Sequence, residues 1–122
     1  MAWKYSQSSG NMASPTGAPA GTGYSGYEQW KNVPAMQIVQ ALGPIPQGLW
    51  IIHAAFDHPH LGPVVMPLEP YPETNTFGRS AFFIHGDSIA RPGGASHGCI
   101  VMPRATREAI AESEDHDLCV EA

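Results

Sequence analysis

Residues 85–104 read HGDSIARPGGASHGCIVMPR and bring two histidines, one cysteine and four glycines into twenty positions. The thiolate is the nucleophilic form of cysteine, so a working thiol needs a base or a cation beside it. His97 precedes Cys99 by two residues, and in extended backbone residues two apart face the same side. Gly98 between them lets backbone approach a bound carbonyl. The N–H groups of Gly98 and Cys99 can then form an oxyanion hole. His85 closes an apolar run, AFFIH, and is followed by Gly86. Together these residues suit nucleophilic acyl transfer, with Cys99 attacking and His85 or His97 as base. The competing reading is a small core hydrophobe, the commonest role of a lone cysteine. Packing alone, however, gives no reason for Ser96-His97-Gly98 ahead of it.

Other groups of reactive residues have plainer readings. His53, Asp57, His58 and His60 crowd HAAFDHPH, but no HExxH occurs and the spacing matches no strong zinc pattern. A polar surface loop is expected there, with no metal and no cofactor. Cys119 in DLCVEA alternates with Leu118 and Val120, as a structural strand cysteine would. A Cys99–Cys119 disulfide would silence the nucleophile and is not expected. The aromatic set Trp3, Tyr5, Tyr24, Tyr27 and Trp30 reads as core in preference to a glycan groove.

The elements that must position this chemistry are short. With 122 residues the chain is expected to be one domain, 1–122. Thirteen glycines and twelve prolines favour brief strands and many loops over long helices. WKYSQ alternates apolar and polar before the turn SSGN, and Met12 begins a return strand. Residues 13–26 read as a loop, and Tyr24, Tyr27 and Trp30 suggest one helical turn. VPAMQIVQALGPIP predicts a short helix from Pro34 to Leu42, with Gly43 past its end. Strands follow in QGLWIIHAAF, in the proline-interrupted GPVVMPLEPY, in GRSAFFIHG, in GCIVMP and in DLCVEA. RATREAIAESE predicts a helix. The fold class is therefore mainly β with one or two short helices.

Charge and hydropathy exclude several functions. The net charge is −5 and no basic run occurs, so nucleic acid and anionic membranes are not expected partners. The longest apolar stretch, Gly48 to Phe56, is too short to be a transmembrane segment. MAWKYSQSSGNMASPTG has no apolar core of a secretory signal. The expectation is synthesis in the cytoplasm and export by some other route.

His85-Gly86 followed by Ser96-His97-Gly98-Cys99-Ile100 resembles the signature of YkuD-type L,D-transpeptidases, cysteine enzymes of peptidoglycan with a mostly β catalytic domain. The blocks WKYSQSSG, GYSG, GPIPQG, GRSAFFIHGDS and GCIVMPRATREAI resemble one branch more closely, the type VI secretion L,D-transpeptidase effector (Tlde) family, from Trp3 to about Ile110. The resemblance implies a β-sandwich like the L,D-transpeptidase catalytic domain. Cys99 would be the nucleophile and His85 the base, oriented by the Gly86 carbonyl. His97 would shape the substrate side, Ser96 would brace the loop, and the two histidines can exchange roles. The implied substrate is a peptidoglycan tetrapeptide stem, cleaved or exchanged through a thioester. Many housekeeping relatives carry Arg two residues after the cysteine, where this chain has Val101. Arg79, Arg91, Arg104 and Arg107 are the candidates to bind stem carboxylates. The resemblance further implies delivery by a secretion apparatus, action in a target cell's periplasm and a cognate immunity protein. The alternatives are an inactive peptidoglycan-binding module of the same fold, or another cysteine peptidase or amidase. In NlpC-type enzymes the cysteine precedes the histidine, whereas here both key histidines precede Cys99.

Overall fold

The computed structural model describes all 122 residues. Strand β1 (Ala2–Ser6) turns Trp3 and Tyr5 inward and returns through a tight turn into β2 (Asn11–Ala13). Residues Pro19–Thr22 form β3 and Tyr24–Ser25 form β4, at opposite edges of the sheet. The middle of the chain supplies β5 (Gly48–Ile52), β6 (Phe56–His58) and β7 (Gly62–Pro70). After them come β8 (Phe82–His85), β9 (Ile100–Val101), helix α1 (Arg104–Glu112) and β10 (Asp117–Glu121).

These strands form a mixed sheet in the order β3-β2-β1-β10-β5-β7-β8-β9-β4, with β6 paired to β7 beside this path. The terminal strands β1 and β10 run parallel in mid-sheet, with Trp3 opposite Leu118 and Tyr5 opposite Val120. Side chains from strands far apart in that order, among them Met12, Trp50, Met66, Ile84, Ile100 and Leu118, join one buried cluster. The sheet therefore wraps its apolar face around one core in a sandwich-like manner. Helix α1 begins after Pro103 and covers β7 and β3, with Thr106, Arg107 and Ile110 turned inward.

The mainly β class is as the sequence predicts, while three local readings change. Residues 13–26 contain β3 and β4, because two short apolar-poor segments pair with strands already in place. Such pairing uses backbone groups and leaves little periodic signal. The helix expected over Pro34–Leu42 shrinks to a 3-10 segment, Pro34–Ile38. None of its residues is buried, and so short a helix has no packed face to sustain it. HAAFDHPH, expected as a loop, contains β6, whose exposed side chains conceal its backbone pairing with β7. Trp3, Tyr5 and Tyr24 are buried, whereas Tyr27 and Trp30 are half-buried.

Candidate active site

Cys99 immediately precedes β9, which lies parallel to β8 with Ile84 opposite Ile100 and His85 opposite Val101. Alternation along the strands turns Ile84 and Ile100 into the core. It sets Cys99 and His85 on the other face, offset by two residues along the strand. Cys99 lines a cavity of about 210 Å³ with Gln40, Ala41, Arg79, Ala81 and His97. His85 lines a neighbouring cavity of about 510 Å³ with Gly86, Asp87, Ala95, Arg107 and the turn at His60–Pro63. The loop from Gly86 to Gly98 borders both.

The thiol is free and donates to the Ala81 carbonyl at 3.8 Å. Burial pushes its pKa up to about 11, partly offset by the Phe83 N–H and by the charge of Arg79. In the resting state at neutral pH the group is therefore a thiol. Each nearby imidazole is tied by Nδ1. His85 Nδ1–H donates to the Gly86 carbonyl at 2.8 Å, and His97 Nδ1–H donates to the Ala41 carbonyl at 2.9 Å. Both bonds leave Nε2 with its lone pair. Burial lowers the His85 pKa, opposed by its bond to Gly86, so this imidazole favours the neutral form. His97 is exposed and stacks on Tyr27 with ring centroids 4.5 Å apart.

Backbone around the thiol is strained in a directed way. Ala41 and Ala81 both hold left-handed φ angles, 62° and 64°, and these two carbonyls meet His97 and Cys99 respectively. A non-glycine residue in this region costs energy and persists only where its surroundings hold it. Gly98, at φ 138°, has no alternative. A Cβ there would lie 2.5 Å from Arg79 Nη2 and 3.1 Å from the Phe82 ring.

Ser96 is fully buried and ties the turn together. Its Oγ donates to the Cys99 carbonyl at 2.5 Å and accepts from the N–H groups of Gly26 and Gly98, at 2.9 and 3.1 Å. The Gly98 N–H expected in an oxyanion hole is thus already engaged. The Cys99 N–H, just ahead of β9, donates to no protein acceptor.

The four arginines have four different settings. Arg79 is 5% exposed, and its terminal nitrogens donate to the carbonyls of Gln37, Pro44, Gly43 and His97. It fastens the segment before β5 to the cysteine turn. Arg107 is 7% exposed and sits against Gly86. Arg104 is exposed and pairs with Glu108 one helical turn on. Arg91 is exposed on the 86–95 loop. Arg104 and Arg107, three residues apart on one helix, therefore meet very different surroundings.

Several residues that hold the site carry no site signal in the sequence. Ser25 Oγ donates to the Gly98 carbonyl and accepts from Ile45 N–H. Asp87 Oδ1 accepts from the Tyr24 hydroxyl at 2.5 Å and from Ser88 N–H, and both its oxygens accept from Gly93 N–H. The GYSG block contains Tyr24 and Ser25, but no spacing rule links them to residues 87 and 98. Elsewhere His53 pairs with Glu69 at 2.8 Å, and Cys119 lies half-buried in β10 with Leu118 and Val120 in the core.

The mixed sheet thus presents a half-buried thiol that shares one cavity with His97, while His85 lines the neighbouring cavity and each imidazole is anchored to a backbone carbonyl. The chain belongs to the family of the Tlde1 domain, whose family model matches residues 20–118. That span takes in both cavities and all four arginines. Membership points to a type VI secretion effector with L,D-transpeptidase-like enzymatic activity. No curated protein matches the chain. No helix is long and apolar enough to cross a membrane.

Proposed function

We propose that the protein is a peptidoglycan-modifying cysteine enzyme acting on tetrapeptide stems. The observation that supports this most is the setting of Cys99 within the Tlde1 match: a thiol facing the Phe83 N–H, in one cavity with His97 and beside the strand that ends in His85, with both imidazoles anchored at Nδ1. In this reading the thiol leaves the Ala81 carbonyl and His85 Nε2 takes its proton as Sγ attacks. The carbonyl attacked is that of the L-centre third residue, a diaminopimelate in stems of that type. The oxyanion rests on Cys99 N–H. The C–N bond then breaks, the His85 proton passes to the departing D-alanine amine, and a thioester remains. Water or an amine attacks the thioester, His85 takes the incoming proton, and the sulfur is reprotonated. Water gives L,D-carboxypeptidase activity, a D-amino acid gives exchange, and a second stem gives a cross-link. The same reading makes the protein an antibacterial effector, exported by a type VI apparatus to act in a neighbour's periplasm and restrained at home by an immunity protein.

A second reading, an inactive stem-binding module, is favoured by one observation: the resting thiol is pushed up to about 11 rather than down. Mass spectrometry of purified disaccharide-tetrapeptide separates the two. Incubation with the protein should remove one alanine, or replace it by an added D-amino acid, and Cys99→Ala should do neither. Unchanged tetrapeptide with both proteins would reject the enzyme reading.

A further inference from the structure

Counting donors divides the two buried arginines. The four terminal N–H groups of Arg79 meet four carbonyls, so only Nε–H remains. Arg107 is held differently. Its Nε–H donates to the Met102 carbonyl at 3.1 Å, and Nη1 donates to the carbonyls of Pro63 and Val64. Both N–H groups of Nη2 remain without a protein acceptor. No carboxylate forms an ion pair with this guanidinium, although it is 7% exposed and lines the His85 cavity. Gly86 is what makes room for it, since a Cβ there would lie 2.8 Å from Nη2. Asp87, the acid lining the same cavity, has its oxygens occupied by Tyr24, Ser88 and Gly93. A buried cation with two free donors in an open cavity is a ready site for an anion.

The chemistry of the leaving group says which anion. If His85 protonates the departing amine, the departing residue lies beside His85, which lines the same cavity as Arg107. In an α-amino acid the carboxylate is one carbon removed from that amine, which brings it within reach of that cavity. We infer that Arg107 Nη2 binds the C-terminal carboxylate of the leaving D-alanine. The inference rests on the proposed function, and it separates Arg107 from Arg79, Arg91 and Arg104 as the residue that recognises the free end of the stem.

The test compares a tetrapeptide stem ending in free D-alanine with the same stem ending in D-alaninamide. Binding is measured by calorimetry to Cys99→Ala, and turnover is measured with the unaltered protein. The free acid should bind about tenfold to a hundredfold tighter than the amide. In Cys99→Ala/Arg107→Gln that preference should vanish, and Arg107→Lys should restore part of it. A general loss of packing would weaken acid and amide alike and leave their ratio unchanged. The ratio in the Cys99→Ala protein needs no change at Arg107, so it stands even if the Arg107 variants do not fold. Equal affinities for acid and amide, or binding of neither, would overturn the inference. So would a preference that survives Arg107→Gln. Turnover of acid and amide at equal rates would overturn the role of Arg107 while leaving the enzyme reading intact. Acid-selective binding without turnover would reject the enzyme reading and retain carboxylate binding by Arg107.

Discussion

At the scale of single residues, the proposed reaction would start from a resting thiol and from an imidazole that burial keeps toward its neutral form. With Cys99 pushed up to about 11, no preformed thiolate is available near neutrality, so in the proposed reaction a base would take the proton as the substrate is attacked. His85 suits the role of base, because it is buried, tied at Nδ1 by Gly86 and lowered below its ordinary value near 6.5. His97 is exposed and stacked on Tyr27, a better position for touching substrate. His85→Ala is therefore expected to reduce kcat/KM by about 10²–10⁴-fold. His97→Ala should act more weakly and chiefly on KM. The pH profile carries the sign. The base works only when neutral, so activity is lost as pH falls through the His85 pKa. The acidic limb of kcat/KM should thus lie below the ordinary histidine value near 6.5. A limb above that value would reject His85 as the base, and a larger loss in His97→Ala than in His85→Ala would exchange the two roles.

At the scale of elements, the cysteine turn is held by hydrogen bonds from outside itself. Ser96 links residues 96–99 to Gly26 beyond β4, and Ser25 reaches the Gly98 carbonyl from β4. Strand β4 has only two residues, yet it pins the cysteine turn to β9. Ser96→Ala would leave two buried N–H groups without an acceptor, each costing about 1–3 kcal/mol. The expected result is a loss of about 2–4 kcal/mol in urea unfolding, with the unfolding slope unchanged. Ser96→Thr, which keeps the oxygen, should recover part of it if the turn can admit the methyl group. Stability unaltered by Ser96→Ala would mean that water replaces the hydroxyl and that the turn does not depend on it.

For the whole molecule, stability resides in the core cluster enclosed by the curled sheet, and one polar atom there has no partner. Tyr5 is fully buried in β1, and its hydroxyl has no hydrogen-bond partner. Burial accordingly raises its pKa well above the ordinary tyrosine range. Removing an unpaired buried hydroxyl relieves its desolvation cost and changes little else. Tyr5→Phe is expected to raise stability by about 1 kcal/mol, read as a higher urea midpoint. A clear fall would show that the hydroxyl has a partner in solution, such as a trapped water.

The sequence by itself determined the residue types and most of the elements. Alternation marks β1 and β10, apolar runs mark β5, β7 and β8, and the helix formers after Pro103 give α1, because each of these buries one face in a regular period. Local order also made residues 85–99 conspicuous, since glycines beside histidine and cysteine have chemical rather than packing logic. What lacks a period stayed out of reach: β3, β4 and β6 exist through backbone pairing, and the Pro34 helix failed for want of a buried face. Only the tertiary structure decided that Cys99 and His85 open into two different cavities. Only it, too, decided the fates of the arginines. In sequence Arg79 and Arg107 are equivalent cations. In space one has its terminal donors met by carbonyls that come from residues 37 to 97, and the other keeps two free. Which donors remain for a ligand depends on contacts between residues distant in the chain, and those exist only once the sheet has closed.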